Sequence, residues 1–191
     1  MDVYDAINTR RAVRTFEKAR VDRATLRKLI DAAIQAPSAV NTQPWCFTII
    51  EDLALLTRIS NEAKRLVLEN PPQGLPSGRF HELLSDPKFD IFYGAPALIL
   101  VSSVTADHWA VVNCSLAAQN LMLAARAEGL GTCWIGFAES WFGSEMGKHA
   151  LGLPTSHLPV APIIVGRPSS PPVPVPRREP IIRWVPDNGS E

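Results

Sequence analysis

Apolar residues recur at helical spacing in several stretches of the chain, and residues that begin or end helices bound each stretch. Asp22 and Asp52 stand where capping residues are expected, and Pro37 ends the helix that Asp22 begins. Ser144 can cap a shorter helix. The predicted helices are Val3 to Thr9, the segments that follow Asp22 and Asp52, Trp109 to Glu128, and Gly143 to Leu151.

The longest predicted helix, Trp109 to Glu128, is apolar around nearly its whole circumference and is followed by Gly129, which suits the position just past a helix end. A helix that is apolar on all sides must be covered on all sides. A monomer of 191 residues provides such cover with difficulty. We therefore expect a homodimer that packs on this helix.

Short apolar runs between the helices predict strands at Cys46 to Ile50, Pro96 to Ser102, Gly131 to Ile135 and Val160 to Val165. The run at 96–102 does not alternate with polar residues, which is typical of a strand buried on both faces. The connection Asn70 to Asp90 is rich in proline and glycine and is predicted to be irregular. A connection of that length in a compact domain is often functional.

Proline changes the character of the chain after Gly166. Prolines recur from Pro168 to Pro186 and impose an extended course. We predict a single domain, in which residues 1–166 form the body and residues 167–191 form a proline-rich extended arm that belongs to it. The apolar segment Ile181 to Val185 is expected to dock on the body or on a partner subunit.

Composition narrows the classes of function. The formal net charge is zero, so nucleic acid and anionic membranes are not expected as partners. No apolar stretch reaches the ~18 residues of a membrane span, and the N-terminus lacks the apolar core of a signal peptide. The cysteines, Cys46, Cys114 and Cys133, and the scattered histidines show no metal-ligand spacing, so we expect reduced thiols, no metal and a cytoplasmic location.

A cluster of arginines near the N-terminus carries candidate chemistry. Arg10, Arg11 and Arg14 lie close together in a chain that is not basic overall. Guanidiniums so close repel one another unless they face an anion, and arginine suits bidentate contacts with phosphate. The alternative is a solvated helix face with surface ion pairs.

A second candidate is the segment Ala36 to Trp45, which reads Ala-Pro-Ser-Ala-Val-Asn-Thr-Gln-Pro-Trp. It offers a hydroxyl and two side-chain amides in a short turn, and amides both donate and accept hydrogen bonds. The pyrimidine edge of a flavin alternates acceptors with a donor. FMN is favoured over a dinucleotide because no GxGxxG follows a predicted strand. An ordinary helix-to-strand loop is the alternative.

Together with Gly129 to Gly136, which reads Gly-Leu-Gly-Thr-Cys-Trp-Ile-Gly, the segments 10–14 and 36–45 resemble the FMN-dependent nitroreductase superfamily, over nearly the whole chain. The resemblance implies an α+β, nitroreductase-like fold with a mixed, mainly antiparallel sheet flanked by helices and an extended C-terminal arm. It also implies a homodimer with one FMN at each of two interface sites.

The resemblance also implies which residues bind the cofactor. The arginines would hold the phosphate and ribityl chain. In the arm, Arg178 is a better match than its neighbour Arg177. The turn at 37–41 would meet the flavin of the partner subunit, and the backbone of Gly136 would direct its N–H at flavin N5. The implied cofactor-binding residues are Arg10, Arg11, Ala12, Arg14, Pro37, Ser38, Ala39, Asn41, Trp134, Ile135, Gly136, Arg177 and Arg178.

The implied reaction is that of an FMN-dependent NAD(P)H oxidoreductase. NADH or NADPH would deliver hydride to N5, and an electron-poor acceptor such as a nitroaromatic or quinone would then be reduced in the same place, with ping-pong kinetics. Solvent can provide protons, so no side chain is expected to be catalytic. A reductive dehalogenase, an oxygen-dependent flavin-consuming enzyme and a non-catalytic flavin-binding protein are the alternatives.

Substrate choice in the resembling enzymes depends on the variable segment, here Asn70 to Phe92, and on the residues after Gly136. Large aromatic side chains near these segments are candidate walls of the substrate pocket, although such residues are more often core. They are Phe89, Phe92, Trp141 and Phe142.

Overall fold

The computed structural model describes residues 1–71 and 77–185. Its strands are β1 Trp45–Ile50, β2 Ala97–Ser103, β3 Gly131–Trp134 and β4 Leu158–Gly166. They form one sheet in the order β1-β2-β4-β3, and each neighbouring pair is antiparallel. A parallel bridge between Ala12 and Thr132 adds the N-terminal segment beside β3.

Helices cover the sheet, which confirms the predicted α+β architecture. They are α1 Val3–Thr9, α2 Arg23–Ala33, α3 Leu53–Glu69, α4 Ser77–Ser85, α5 Ala110–Ala127, α6 Glu139–Gly143 and α7 Glu145–Ala150. The predicted caps are confirmed, since Asp22, Asp52 and Ser144 accept hydrogen bonds from first-turn N–H groups of α2, α3 and α7. Gly129 follows α5 with a φ of +74°, the left-handed conformation expected past a helix end.

Strand β2 is buried along its whole length because the two faces of the sheet carry separate cores. Ile99 and Val101 pack with α2 and α5 on one face. Leu98 and Leu100 pack with α3 and α6 on the other. The absence of alternation in this strand therefore has the cause that the sequence indicated, which is burial from both sides.

Helix α5 is covered on one side only. Cys114, Ala118 and Leu121 are fully buried against the sheet and α2, whereas Val111 and Leu116 are 53% and 40% exposed. Within residues 1–71 and 77–185, nothing covers the face that carries them. The described chain thus leaves an apolar helix face in contact with solvent.

The segment predicted to be irregular contains a helix, so that prediction is wrong for residues 77–85. Helix α4 buries Leu84 and brings Phe80 against Phe137, with ring centroids 5.7 Å apart. Gly78 and the neighbouring prolines have low helix propensity, so the sequence did not indicate a helix here. The packing of Leu84 and Phe80 outweighs that propensity. Residues 72–76 lie outside the described chain.

The arm begins as a neighbour of the N-terminal segment. Glu17 N–H donates to Arg167 O at 2.9 Å, and Ser169 N–H donates to Thr15 O at 3.1 Å. Farther on, Ile181 and Trp184 are almost fully exposed. The apolar end of the arm therefore does not dock on its own body over the described residues, and docking on a partner remains a prediction.

No helix in the described part of the chain is long and apolar enough to cross a membrane.

The close approach of α6 and α7 supplies a test of packing. A Cβ at Gly147 would overlap the carbonyl oxygen of Trp141, whereas a Cβ at Gly143 meets nothing within 4 Å. Gly147→Ala should lower the free energy of unfolding by about 1–3 kcal/mol, because α7 must move away from Trp141. Denaturant unfolding followed by circular dichroism measures the effect.

Gly143→Ala is the matched control, since it makes the same change in the neighbouring helix without a clash. It should change stability by less than about 1 kcal/mol, with added helix propensity favouring the variant. Equal destabilisation by both substitutions would show that the approach of the two helices does not matter.

Candidate functional site

The N-terminal arginines follow α1 in an extended segment beside the edge strand β3. Arg10 is the C-cap residue of α1, and its backbone is extended, with φ −62° and ψ 130°. Val13 N–H then donates to Thr132 O at 2.9 Å. A Cβ at Gly131 would lie 2.6 Å from Val13 Cγ2, so glycine is needed for this close approach. The contact brings residues 10–14 next to residues 131–136.

Positive charges from distant parts of the chain meet in this region. Burial, followed by the charges of Arg177 and Arg11, lowers the pKa of Arg10. Arg11 Nη1 donates to Arg10 O at 2.7 Å, while its Nε is buried without a partner in the described chain. Among residues 1–71 and 77–185, no carboxylate pairs with these guanidiniums. Unpaired cations held together in this way suit an anionic ligand.

The arm supplies one of these cations. The sequence favoured Arg178, but the structure places Arg177 close enough to Arg10 to lower its pKa. Neighbouring residues in an extended chain point in opposite directions, so only tertiary structure decides which of the two faces the cluster.

A cavity of about 430 Å³ opens beside the arginines. The predicted residues Trp134, Ile135 and Gly136 line it together with Arg14. The other lining side chains were not named individually as site residues, although all except Tyr93 lie in segments that the resemblance singled out, which are 70–92, 129–136 and the residues after Gly136. They are Phe80, Ile91, Tyr93, Cys133, Phe137 and Glu139.

Gly136 lines the cavity as an exposed residue and begins a 3₁₀ turn, Gly136–Ala138. Its φ is not positive, so no left-handed backbone conformation requires glycine at this position. The adjacent N–H groups are used, because Ile135 N–H donates to Pro162 O and Ala138 N–H to Ile135 O. The first N–H of a helical turn has no partner inside the turn, which leaves the Gly136 N–H for a ligand.

Tyr93 reaches the cavity in a strained conformation. Its φ is +57°, which is uncommon for a bulky residue and is often found at functional sites. The carboxylate of Asp90 accepts from Phe92 N–H and Gly94 N–H at 3.0 and 2.9 Å, fixing the turn. The guanidinium carbon of Arg14 lies 5.8 Å from the ring centroid of Tyr93. Burial raises the pKa of Tyr93, so the phenol is protonated at neutral pH.

Helix α3 anchors the segment that carries Tyr93. Lys64 is buried, and its Nζ donates to Asp86 O and Phe89 O at 3.1 and 2.7 Å. Ser60 Oγ accepts from Ile91 N–H at 3.1 Å. A Lys and a Ser on the buried face of an otherwise amphipathic helix are the sequence signal for this anchor.

The predicted aromatic walls are wrong for three of the four candidates. Phe92, Trp141 and Phe142 are fully buried in the core between α3, α6 and the sheet. Phe89 packs edge-on against Tyr93, with ring centroids 5.6 Å apart. The aromatic walls of the cavity come instead from Phe80, Trp134 and Phe137.

The turn at 37–41 lies away from this cavity. Pro37, Ser38 and Ala39 line a second, largely apolar cavity of about 510 Å³ on the exposed face of α5. Asn113 anchors the turn, since its Oδ1 accepts from Ala39 N–H at 3.0 Å. Its Nδ2 is buried without a partner in the described residues.

The backbone of this turn is unusual. Val40, Asn41 and Gln43 have φ values of 45°, 56° and 46°. Ser38 Oγ accepts from Gln43 N–H at 3.0 Å, and Asn41 Oδ1 accepts from Gln43 Nε2 at 2.9 Å. Gln43 therefore serves the turn itself. Val40 is 95% exposed at its tip, so the turn is held in a shape that presents it outward.

The two buried cysteine thiols are not activated. Burial raises the pKa of the Cys114 thiol to about 12, and it raises the pKa of Cys133 against the opposing charges of Arg14 and Arg10. Both thiols are therefore protonated at neutral pH. Within the described ranges, no group of three or more His, Cys, Asp or Glu residues could hold a metal.

Comparison with known proteins identifies the class. The model of the Nitroreductase family matches residues 7–167, and the chain belongs to this family. A Desulfitobacterium hafniense DCB-2 nitroreductase with bound FMN shares the fold, with a TM-score of 0.82 at 24% identity over 97% of this chain and 99% of that one.

Curated relatives differ in their named activities. The chain is 30% identical over 177 residues to the Methanothermobacter thermautotrophicus protein named "Putative NADH dehydrogenase/NAD(P)H nitroreductase", covering 90% of this chain and 80% of the relative. It is 31% identical over 137 residues to the iodotyrosine deiodinase of Thermotoga neapolitana, covering 68% and 71%.

Proposed function

We propose that this protein is a cytoplasmic, FMN-dependent oxidoreductase that takes reducing equivalents from NADH or NADPH. The observation that carries the proposal is the meeting of Arg10, Arg11 and Arg177 beside the cavity lined by Trp134 to Gly136. FMN is a flat, largely apolar ring with a phosphate at the end of a flexible chain. A cluster of unpaired cations next to an aromatic cavity suits that combination.

The residues present fit the cofactor on two further counts. The buried Nε of Arg11 has no partner in the described chain, and a phosphate oxygen would satisfy it. The Gly136 N–H is unused in its turn and can face the ring edge at N5. The positive charge of Arg14, whose guanidinium lies over the ring of Tyr93, would also favour binding of the anionic cofactor at this cavity. In this arrangement the backbones of Ala12 and Ile135 contact the cofactor. The arm supplies Arg177 and therefore belongs to the same domain.

When bound, FMN would supply the redox chemistry, which is hydride uptake from NADH or NADPH and two-electron reduction of an electron-poor acceptor such as a nitroaromatic or quinone. The arginines hold the phosphate, and the Gly136 N–H stabilises negative charge at the ring edge. Phe80 and Phe137 shield the cavity from water. The protein thus binds, orients and tunes the cofactor, and it needs no catalytic side chain of its own.

We also propose that the functional unit is a homodimer in which the turn at 37–41 completes the site of the partner subunit. The turn exposes Val40 and Asn41, and Ser38 lines the apolar cavity beside the uncovered face of α5. A second copy seated on Val112 and Leu116 would bury that face. The apolar end of the arm would gain cover at the same time.

Spectroscopy tests the activity. The protein, reconstituted with FMN where needed, should show flavin bands that bleach anaerobically with NADH or NADPH and return with a nitroaromatic or quinone. Double-reciprocal plots should give parallel lines, because donor and acceptor use one cavity in turn. Intersecting lines would count against the shared cavity.

The same experiment separates the alternatives. A flavin that bleaches but returns only with an iodotyrosine would favour a dehalogenase, the activity named for one relative. Consumption of the flavin itself after oxygen is admitted would indicate a flavin-consuming enzyme. Bands that persist with both donors would leave a flavin-binding protein without this turnover.

The phosphate site has a test with an internal control. Arg10→Ala combined with Arg177→Ala should weaken FMN binding by at least about a hundredfold, since each lost charge-assisted hydrogen bond costs about 1.5–3 kcal/mol. Quenching of FMN fluorescence measures the dissociation constant, and circular dichroism verifies the fold.

Arg178→Ala with Arg10→Ala is the matched control, because Arg178 is the adjacent arginine of the arm. This pair should bind FMN more tightly than the pair with Arg177→Ala. Weaker FMN binding by the pair with Arg178→Ala would show that Arg178, and not Arg177, contacts the phosphate.

The dimer is tested by a charge on the exposed face of α5. Leu116→Glu should shift the protein to monomer in sedimentation velocity, because a buried carboxylate without a partner is costly. Leu53→Glu is the control, since Leu53 is an exposed leucine on a different helix. A dimer that survives Leu116→Glu would place the interface elsewhere.

A further inference from the structure

The cavity lined by Trp134 to Gly136 contains two formally charged side chains, and they have different surroundings. Arg14 lies over the ring of Tyr93 and raises the positive potential around Cys133. Glu139 lies beside Gly136, where the nearest approach of Oε1 to a Cβ built on that glycine is 3.9 Å. If Arg14 serves the cofactor, as the proposed function requires, Glu139 is the charge that a substrate meets.

Glu139 is an exposed residue, and one hydrogen bond orients its carboxylate. Trp134 Nε1 donates to Glu139 Oε1 at 2.6 Å. Among the side chains that the structure describes, no Lys, Arg or His forms a salt bridge with Glu139. One oxygen is engaged by the indole, and the other remains available to a donor on a ligand.

The rest of the cavity suits an aromatic ring. Phe80 from α4 and Phe137 from the 3₁₀ turn meet edge to face, with centroids 5.7 Å apart and planes at 65°. Their faces, like that of Trp134, carry negative charge density. Aromatic faces attract cations, so a ring face turned toward the ligand would favour the same ligand charge as the carboxylate.

We propose that the acceptor or its analogue bound here is an aromatic molecule carrying a cationic group, such as a protonated amine, and that Glu139 selects against carboxylated aromatics. This inference rests on the proposed function and names the substrate class of the same site. The charge of Glu139 acts over a few ångströms in a half-open cavity, where each unit charge on the ligand changes affinity several-fold. A cation and an anion of equal shape should therefore differ by at least about tenfold.

Three acceptors of matched shape test the inference. 4-Nitrobenzylamine, 4-nitrobenzyl alcohol and 4-nitrophenylacetate place a cation, a neutral group and an anion beyond the same methylene. In the FMN-loaded protein, kcat/KM should be at least about tenfold higher for the amine than for the acetate. Glu139→Gln keeps an oxygen that can accept from Trp134 Nε1, and it should reduce this ratio at least about threefold.

The control is Glu62→Gln. Glu62 also accepts from an indole, that of Trp141, with Trp141 Nε1 2.8 Å from Glu62 Oε2, but it does not line the cavity. The ratio of amine to acetate should stay at the wild-type value in this variant. Because each variant is compared as a ratio between acceptors, differences in the intrinsic reactivity of the nitro groups cancel. An unchanged ratio in Glu139→Gln would overturn the inference.

Binding without turnover separates this inference from the proposed function. Isothermal titration of the purified protein with benzylamine and with phenylacetate should show tighter binding of the amine, and Glu139→Gln should weaken that preference. This order of affinities together with a flavin that NADH and NADPH fail to bleach would support the charge preference and refute the oxidoreductase. Equal affinities together with bleaching would refute only the charge preference.

Discussion

The contact between the N-terminal segment and β3 determines where the site forms. Val13 fits against Gly131, and its N–H donates to Thr132 O. This one register brings the arginines that follow α1 to the edge of the residues that line the cavity. The first residues of the arm form main-chain hydrogen bonds with Thr15 and Glu17. Farther along the arm, Arg177 lies near Arg10. Three segments distant in sequence are thereby joined through main-chain hydrogen bonds.

The site is assembled from groups that the chain itself leaves unsatisfied. The buried Nε of Arg11 and Nδ2 of Asn113 have no partners in the described residues, and the guanidiniums of the cluster repel one another. Tyr93 and Val40 hold left-handed conformations that most side chains avoid. Such features cost free energy in the isolated chain, and a ligand or a second subunit can offset that cost.

Local signals explain which predictions were confirmed. The aspartate and serine caps, Gly129 and the doubly buried β2 depend on a few neighbouring residues, and all were recognised from the sequence. Helix α4 and Tyr93 were missed because their roles depend on contacts made far along the chain. Glu139 follows Gly136 in a segment expected to affect substrate choice, but its hydrogen bond to Trp134 was not foreseen. The aromatic walls were misassigned for the same reason, since Phe92 and Trp141 fill the core between α3 and the sheet, and nothing local separates a core aromatic from a pocket aromatic.

The sequence by itself determined the family, the α+β architecture and the three segments that carry the candidate site, because hydrophobic period, capping residues and short motifs are local properties. Tertiary structure decided that Arg177 of the arm lies near enough to Arg10 to lower its pKa, which aromatic side chains line the cavity, and that the turn at 37–41 lies apart from it. These depend on register and packing between remote segments. A shift of one residue in an extended chain reverses the side that a residue faces, and no local pattern records that choice.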